Sequence, residues 1–189
     1  MKFEDSKYYE SLCGINKKAY LLFKEHKRDA SIFIECGCYE GNTCEKAVYL
    51  GYKEIYSCDI MANRVLITQQ KLEKHSVPHT IKTLDSVSFL KETLPVIKEK
   101  ATLWLDAHGE GGGVPLLEEL KVIKDYSKIT YHSILIDDLQ ILFKNDINTI
   151  KDKIREINPK YKFSLGYIHH KPDTDPDILV AHVEWKLSY

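Results

Sequence analysis

Six carboxylates stand at the ends of apolar runs in this chain. SIFIE closes on Glu35, EIYSCD on Asp59, TLWLD on Asp106 and SILIDD on Asp137 and Asp138, while Asp85 follows IKTL. Open parallel sheets bind their ligands outside the carboxyl ends of their strands, so acids there face a ligand crevice. Asp59 is the leading candidate, because one carboxylate can accept bonds from both vicinal hydroxyls of a ribose. Glu35, at the end of the preceding run, is expected to border the same nucleoside-sized gap. Gly37 and Gly41, in the turn ECGCYEGNT, would let backbone approach a ligand without a Cβ between them. Asp106, Asp137 and Asp138 fall at neighbouring strand ends, where three negative charges repel unless a cation lies among them. Hard oxygen donors of this kind suit Mg²⁺ or another divalent cation. Such an ion would lower the pKa of a bound hydroxyl. Alternatively, Asp137 and Asp138 point to opposite faces, as successive strand residues do. His108, just past Asp106, titrates near neutrality and suits a general base. His169 and His170 lie in a later loop at the same edge and are candidates for acceptor contact or for plain surface.

Strands and helices in alternation are needed to hold these side chains. Apolar spacing predicts a helix over Lys7 to His26 and a first strand over Ile32 to Glu35. A helix capped by Asn42 or Thr43 follows, reaching about Leu50 and stopping at Gly51. Strands are expected at Ile55 to Cys58, Thr80 to Thr83, Thr102 to Leu105 and Ser133 to Ile136. The helices between them are Ala62 to His75, Val87 to Thr93 and Pro115 to Tyr126, with a last one over Asp146 to Ile157. Two further strands, Lys162 to Ile168 and Ile178 to Lys186, are too closely linked for a parallel return and must pair antiparallel. The expected fold class is α/β: one doubly wound, mostly parallel seven-stranded sheet ending in an antiparallel hairpin. Residues 1–30 read as an N-terminal helical segment packed on the main domain, 31–189.

Size and composition narrow the field. The chain has 189 residues, 43% of them hydrophobic, and a formal net charge of −1, which offers no basic face for nucleic acid. No apolar run approaches the length of about 20 residues that spans a bilayer. The first ten residues are too polar for a secretory signal, and five cysteines, an odd number, read as reduced thiols in a cytoplasmic protein. Cys36 and Cys38 stand too close together for ordinary zinc spacing. HGEGGG (residues 108–113) lacks the GK[ST] ending of a phosphate loop and reads as a segment that closes over substrate.

With these motifs, the chain from about Ser31 onward resembles the class I S-adenosylmethionine-dependent methyltransferases, in a branch acting on oxygen of small molecules. The resemblance rests on the turn Glu35 to Thr43, Asp59 after the second strand, and Asp85 and Ser86 after the third. Leu105-Asp106-Ala107-His108 and Ile136-Asp137-Asp138 complete it. It implies a Rossmann-like fold and S-adenosyl-L-methionine held by Glu35, Gly37, Cys38, Tyr39, Gly41, Asp59, Ile60, Asp85, Ser86 and Asp106. Glu35 would meet the cofactor's ammonium group or fix the turn; a capping role competes. Catalysis would fall to His108 and Asp106, and any divalent metal to Asp106, Asp137 and Asp138. The implied reaction is methyl transfer to a small polar acceptor, a sugar or hydroxylated metabolite, by a monomer or homodimer. A methyltransferase-fold module that binds a nucleoside or a partner without catalysis is the alternative. A nicotinamide enzyme fits less well, since G-x-G-x-x-G is absent.

Overall fold

The computed structural model describes residues 17–107, 113–139, 146–166 and 177–184. Helix α1 (Lys17–Lys27) leads into β1 (Ile32–Cys36), α2 (Asn42–Tyr49), β2 (Glu54–Asp59) and α3 (Ala62–Leu72). Then come β3 (His79–Thr83), α4 (Ser86–Thr93), β4 (Ala101–Leu105), α5 (Leu116–Tyr126) and β5 (Ser133–Ile136). The chain closes with α6 (Ile147–Ile157), β6 (Tyr161–Gly166) and β7 (Ile178–Val183). The sheet order is β3-β2-β1-β4-β5-β7-β6. Strands β1 to β5 pair in parallel, and β7 runs against both β5 and β6. The expected fold class and its terminal hairpin are both present.

Alternation along the strands builds two separate cores, because successive side chains point to opposite faces. Ile34, Cys36, Leu103, Leu105, Ile134 and Ile136 pack on one face with Phe89 and Leu90 of α4, Leu120 and Ile123 of α5, and Ile150 and Ile154 of α6. Phe33, Ile55, Trp104, Leu135 and Val180 pack on the other with Phe23 of α1, Cys44 and Ala47 of α2, and Val65 and Leu72 of α3. Helices before β3 therefore cover one face and helices after it the other. β1 and β4 lie centrally and are buried along their whole length, as their unbroken apolar runs require.

Element ends differ from the sequence expectations by up to three residues, with α3 stopping at Leu72 rather than His75. One difference has a physical cause. Helix α2 is capped by neither Asn42 nor Thr43: Gly41 takes the cap position in a left-handed conformation, φ 72°, without a side-chain cap hydrogen bond. A Cβ at Gly41 would stand 2.8 Å from Thr68 Oγ1, so the close seat of α2 on α3 selects glycine over a side-chain cap. The start of the predicted first helix and most of the hairpin loop, with His169 and His170, lie outside the described residues.

Candidate functional site

The crevice at the carboxyl ends of β1, β2 and β4 begins with the turn after β1. Gly37, at φ 94°, and Cys38 both donate their amides to the Cys58 carbonyl, at 3.0 and 2.9 Å. This folds the turn back onto β2. A Cβ on Gly37 would lie 2.5 Å from the Asp106 carbonyl oxygen, so the adjacent strand end leaves no room for one. Beyond the turn opens a cleft of about 810 Å³, a size within the ordinary range for cofactor sites. Gly37, Cys38, Tyr39, Asp59, Ile60, Asp85, Ser86 and Asp106 line it, so eight of the ten residues that the resemblance assigned to a cofactor meet around one cleft.

Asp59 is fixed from both sides. Its Oδ2 accepts the Tyr39 amide at 3.1 Å and its Oδ1 accepts the Met61 amide at 2.9 Å. The side chain is 6% exposed, and Arg64 Nη1 stands 3.8 Å from Oδ1. One lone pair on each oxygen is thus committed to backbone, which leaves acceptor capacity for two hydroxyls. Asp85, on the cleft wall, also caps a helix. Its Oδ1 accepts the Ser88 amide at 2.8 Å and caps α4, and these bonds at Ser88 hold its carboxyl below the usual carboxylate range.

Two of the ten do not reach the cleft. Gly41 serves the α2 cap. Glu35 alternates with Ile34 and Cys36, so its side chain leaves the strand on the α2 face and is buried there. It accepts the Ser57 hydroxyl at 2.8 Å and the Cys44 thiol at 2.9 Å. Burial pushes its carboxyl up to about 7, against the pull of Cys44, Ser57 and the Lys46 charge. The expectation that Glu35 borders the crevice is corrected: it ties β1, β2 and α2 together beneath the turn.

Asp106 lines the cleft, with Trp104 Nε1 donating to its Oδ2 at 3.3 Å. Burial first, then the charges of Asp137, Glu35 and Asp138, push Asp106 up to about 9. At neutral pH it therefore carries a proton and can donate a hydrogen bond. Asp137 and Asp138 do not line the cleft. The Asp137 amide extends the β4–β5 ladder to the Leu105 carbonyl, its Oδ1 accepts the Asp138 amide at 2.7 Å, and Asp138 turns away at φ 50°. Among the described residues, no three His, Cys, Asp or Glu side chains are arranged to hold a metal ion. His108 lies outside the described residues. Cys36, Cys38, Cys44 and Cys58 are buried free thiols.

The cleft also includes residues that the sequence reading did not single out: Cys58, Arg64, Val87, Val114 and Glu118 among them. A helix following a parallel strand brings its first turn over the strand's carboxyl end. Positions one turn into α3 and α5 could have been marked on that ground.

No protein-family model matches the chain, and no curated protein matches it. Solved structures do resemble it. An rRNA methylase from Streptococcus thermophilus superposes with a TM-score of 0.58 at 15% identity, covering 87% of this chain and 93% of its own. A Streptococcus mutans protein, a candidate methyltransferase crystallised with S-adenosylhomocysteine, gives 0.57 at 16%, covering 89% and 98%. Precorrin 8W decarboxylase from Methanobacterium thermoautotrophicum gives 0.61 at 19%, covering 92% and 94%. The fold is that of the class I S-adenosylmethionine-dependent methyltransferases. At these identities the likeness is one of architecture, and the acceptors of these proteins stay their own.

Proposed function

We propose that the protein is an S-adenosylmethionine-dependent methyltransferase acting on a hydroxyl oxygen of a small polar acceptor. The observation that carries this reading is Asp59, held by two backbone amides with acceptor capacity left over, at the edge of a nucleoside-sized cleft beside the glycine turn. Asp59 would take the ribose hydroxyls, and the turn at Gly37, Cys38 and Tyr39 the amino-acid part. Ile60, Asp85, Ser86 and Val87 would flank the base. When bound, the cofactor supplies an activated methyl group, so the protein's share is mainly alignment of an acceptor with it. Protonated Asp106 suits an orienting donor toward the acceptor oxygen, and His108, directly after β4, is our candidate base.

Calorimetry with S-adenosylhomocysteine tests the cofactor assignment. The wild type should bind it, and Asp59→Ala should weaken it at least tenfold; an unchanged Asp59→Ala removes the assignment. Methyl release from labelled cofactor across sugars, catechols, amines and RNA then tests the acceptor class, with methylation of RNA alone overturning the small-molecule reading. Repeating the active reaction in EDTA decides whether a divalent ion takes part.

A further inference from the structure

We propose that Cys36 and Cys58 are a redox-sensitive thiol pair, which peroxide closes to a disulfide that distorts the turn after β1 and shuts out the ligand. The disulfide stands on the packing of β1 against β2; its effect on binding rests on the cofactor reading above.

Register sets the pair. β1 and β2 run parallel with Cys36 opposite Cys58, and both side chains enter the core beneath α4, α5 and α6. The Cys58 side chain hydrogen-bonds the Cys36 thiol. Neighbouring strands lie about 4.8 Å apart, inside the span of about 4.4–6.8 Å between the Cα atoms of bridged cysteines. Cys38 and Cys44 belong to the core on the opposite face, so the sheet separates the four described thiols into two sets.

Access is one-sided: Cys58 lines the cleft and Cys36 does not. Burial, then the bond with Cys58, holds the Cys36 thiol well above its ordinary range, so Cys36 keeps its proton and suits the second step. In the first, the Cys58 sulfur attacks one peroxide oxygen. The O–O bond breaks, a sulfenic acid forms, and the displaced hydroxide leaves as water with the thiol proton. The Cys36 sulfur then displaces hydroxide from the sulfenic sulfur, and its own proton completes a second water. Both sulfurs are oxidised and the peroxide is reduced.

The new bond falls where the turn has least slack. Bridged Cβ atoms lie about 3.8 Å apart, so closure draws the two strand ends together by about 1 Å. The Cys58 carbonyl accepts the Gly37 and Cys38 amides, and Gly37 packs directly against the Asp106 carbonyl. The next residue, Tyr39, holds Asp59 through its amide. A shift at Cys58 therefore passes into the turn and on to Asp59. A bridge strained in this way is easily reduced, which makes the change reversible.

The test treats the full chain with hydrogen peroxide, blocks the remaining thiols by alkylation and maps the digested peptides by mass. A linked Cys36–Cys58 peptide pair, lighter by two hydrogens, is expected in the wild type and absent from Cys58→Ala. Affinity for S-adenosylhomocysteine, read by calorimetry, should fall about tenfold or more on oxidation and return with dithiothreitol. Cys36→Ala, with melts to confirm folding, should bind equally before and after peroxide. Thiols that stay reduced, oxygen gained at Cys58 without a link, or a link to another cysteine overturns the pair. A Cys36–Cys58 link that leaves the affinity unchanged overturns the switch. Reduced wild type that binds no S-adenosylhomocysteine overturns the cofactor reading and the gating with it, while the peptide map decides the disulfide separately.

Discussion

Asp59 commits one lone pair of each carboxylate oxygen to a backbone amide, and that arrangement makes it sensitive to a near-isosteric change. In Asp59→Asn an NH₂ group must face either the Tyr39 or the Met61 amide, donor against donor. The variant should lose about 1–3 kcal/mol of stability, read by urea unfolding, as well as affinity for S-adenosylhomocysteine. Stability unchanged in Asp59→Asn would contradict the two-amide anchorage. Buried titratable groups give a second test, in pH. Glu35, raised from 4.5 to about 7, binds its proton more tightly folded than unfolded. Its contribution is complete below pH 4.5 and is lost as pH rises through about 7. Asp106, raised to about 9, adds to that decline. His132 runs the other way: burial, then the Lys100 charge, lowers it from 6.5 to about 4. Neutral, its Nδ1 accepts the Ala101 amide and its Nε2 pairs with Ser127, and this support is lost as pH falls from 6.5 toward 4. Glu35→Gln should therefore gain on the wild type as pH climbs, by about 3 kcal/mol at pH 8, in paired melts from pH 4.5 to 8. Parallel curves for the two proteins would exclude the assignment.

At the level of elements, the turn after β1 is the part with least freedom, and glycine substitutions separate its causes. Gly37 and Gly51 both sit at positive φ, 94° and 75°, yet a Cβ at Gly51 meets nothing within 4 Å. Gly51→Ala should cost only conformational strain, about 1–2 kcal/mol, and spare ligand affinity. Gly37→Ala adds a clash with the Asp106 carbonyl at 2.5 Å. It should destabilise further and displace the turn, abolishing S-adenosylhomocysteine binding; equal behaviour of the two variants in melts and calorimetry would rule out the packing argument. The α4 cap gives a smaller figure: Asp85→Ala should lower stability by about 1 kcal/mol, measured by unfolding, through loss of the bond from Ser88. Element types were largely legible, because buried strands such as IFIEC and TLWL read as unbroken apolar runs and α6 repeats isoleucine at Ile147, Ile150, Ile154 and Ile157. The α2 cap was not legible. What excludes a side-chain cap there is Thr68, on a helix far along the chain.

For the whole molecule, the α1 face depends on one aromatic cluster. Phe23 meets Trp104 edge-on at 4.8 Å and Phe33 at 5.8 Å, so helix α1 is welded to the centre of the sheet. Phe23→Ala should cost about 3–5 kcal/mol in chemical unfolding and lower the melting temperature of the entire chain in one transition. An early, separate loss of helix would show instead that α1 is an appendage. The sheet also explains how the site was found and where the reading failed. Acids at the ends of successive apolar runs, with the strand–helix alternation, were enough to place Asp59, Asp85 and Asp106 at one edge, because strand polarity alone sends every carboxyl end of a parallel sheet the same way. Sequence could not say which face Glu35 takes, since a single residue of register moves a side chain from one face to the other. Nor could it say that Arg64 reaches across to Tyr39. Order along the chain determined the sheet and its ligand edge; only the packing of helices on that sheet decided which charged groups face the cleft and which hold it together from beneath.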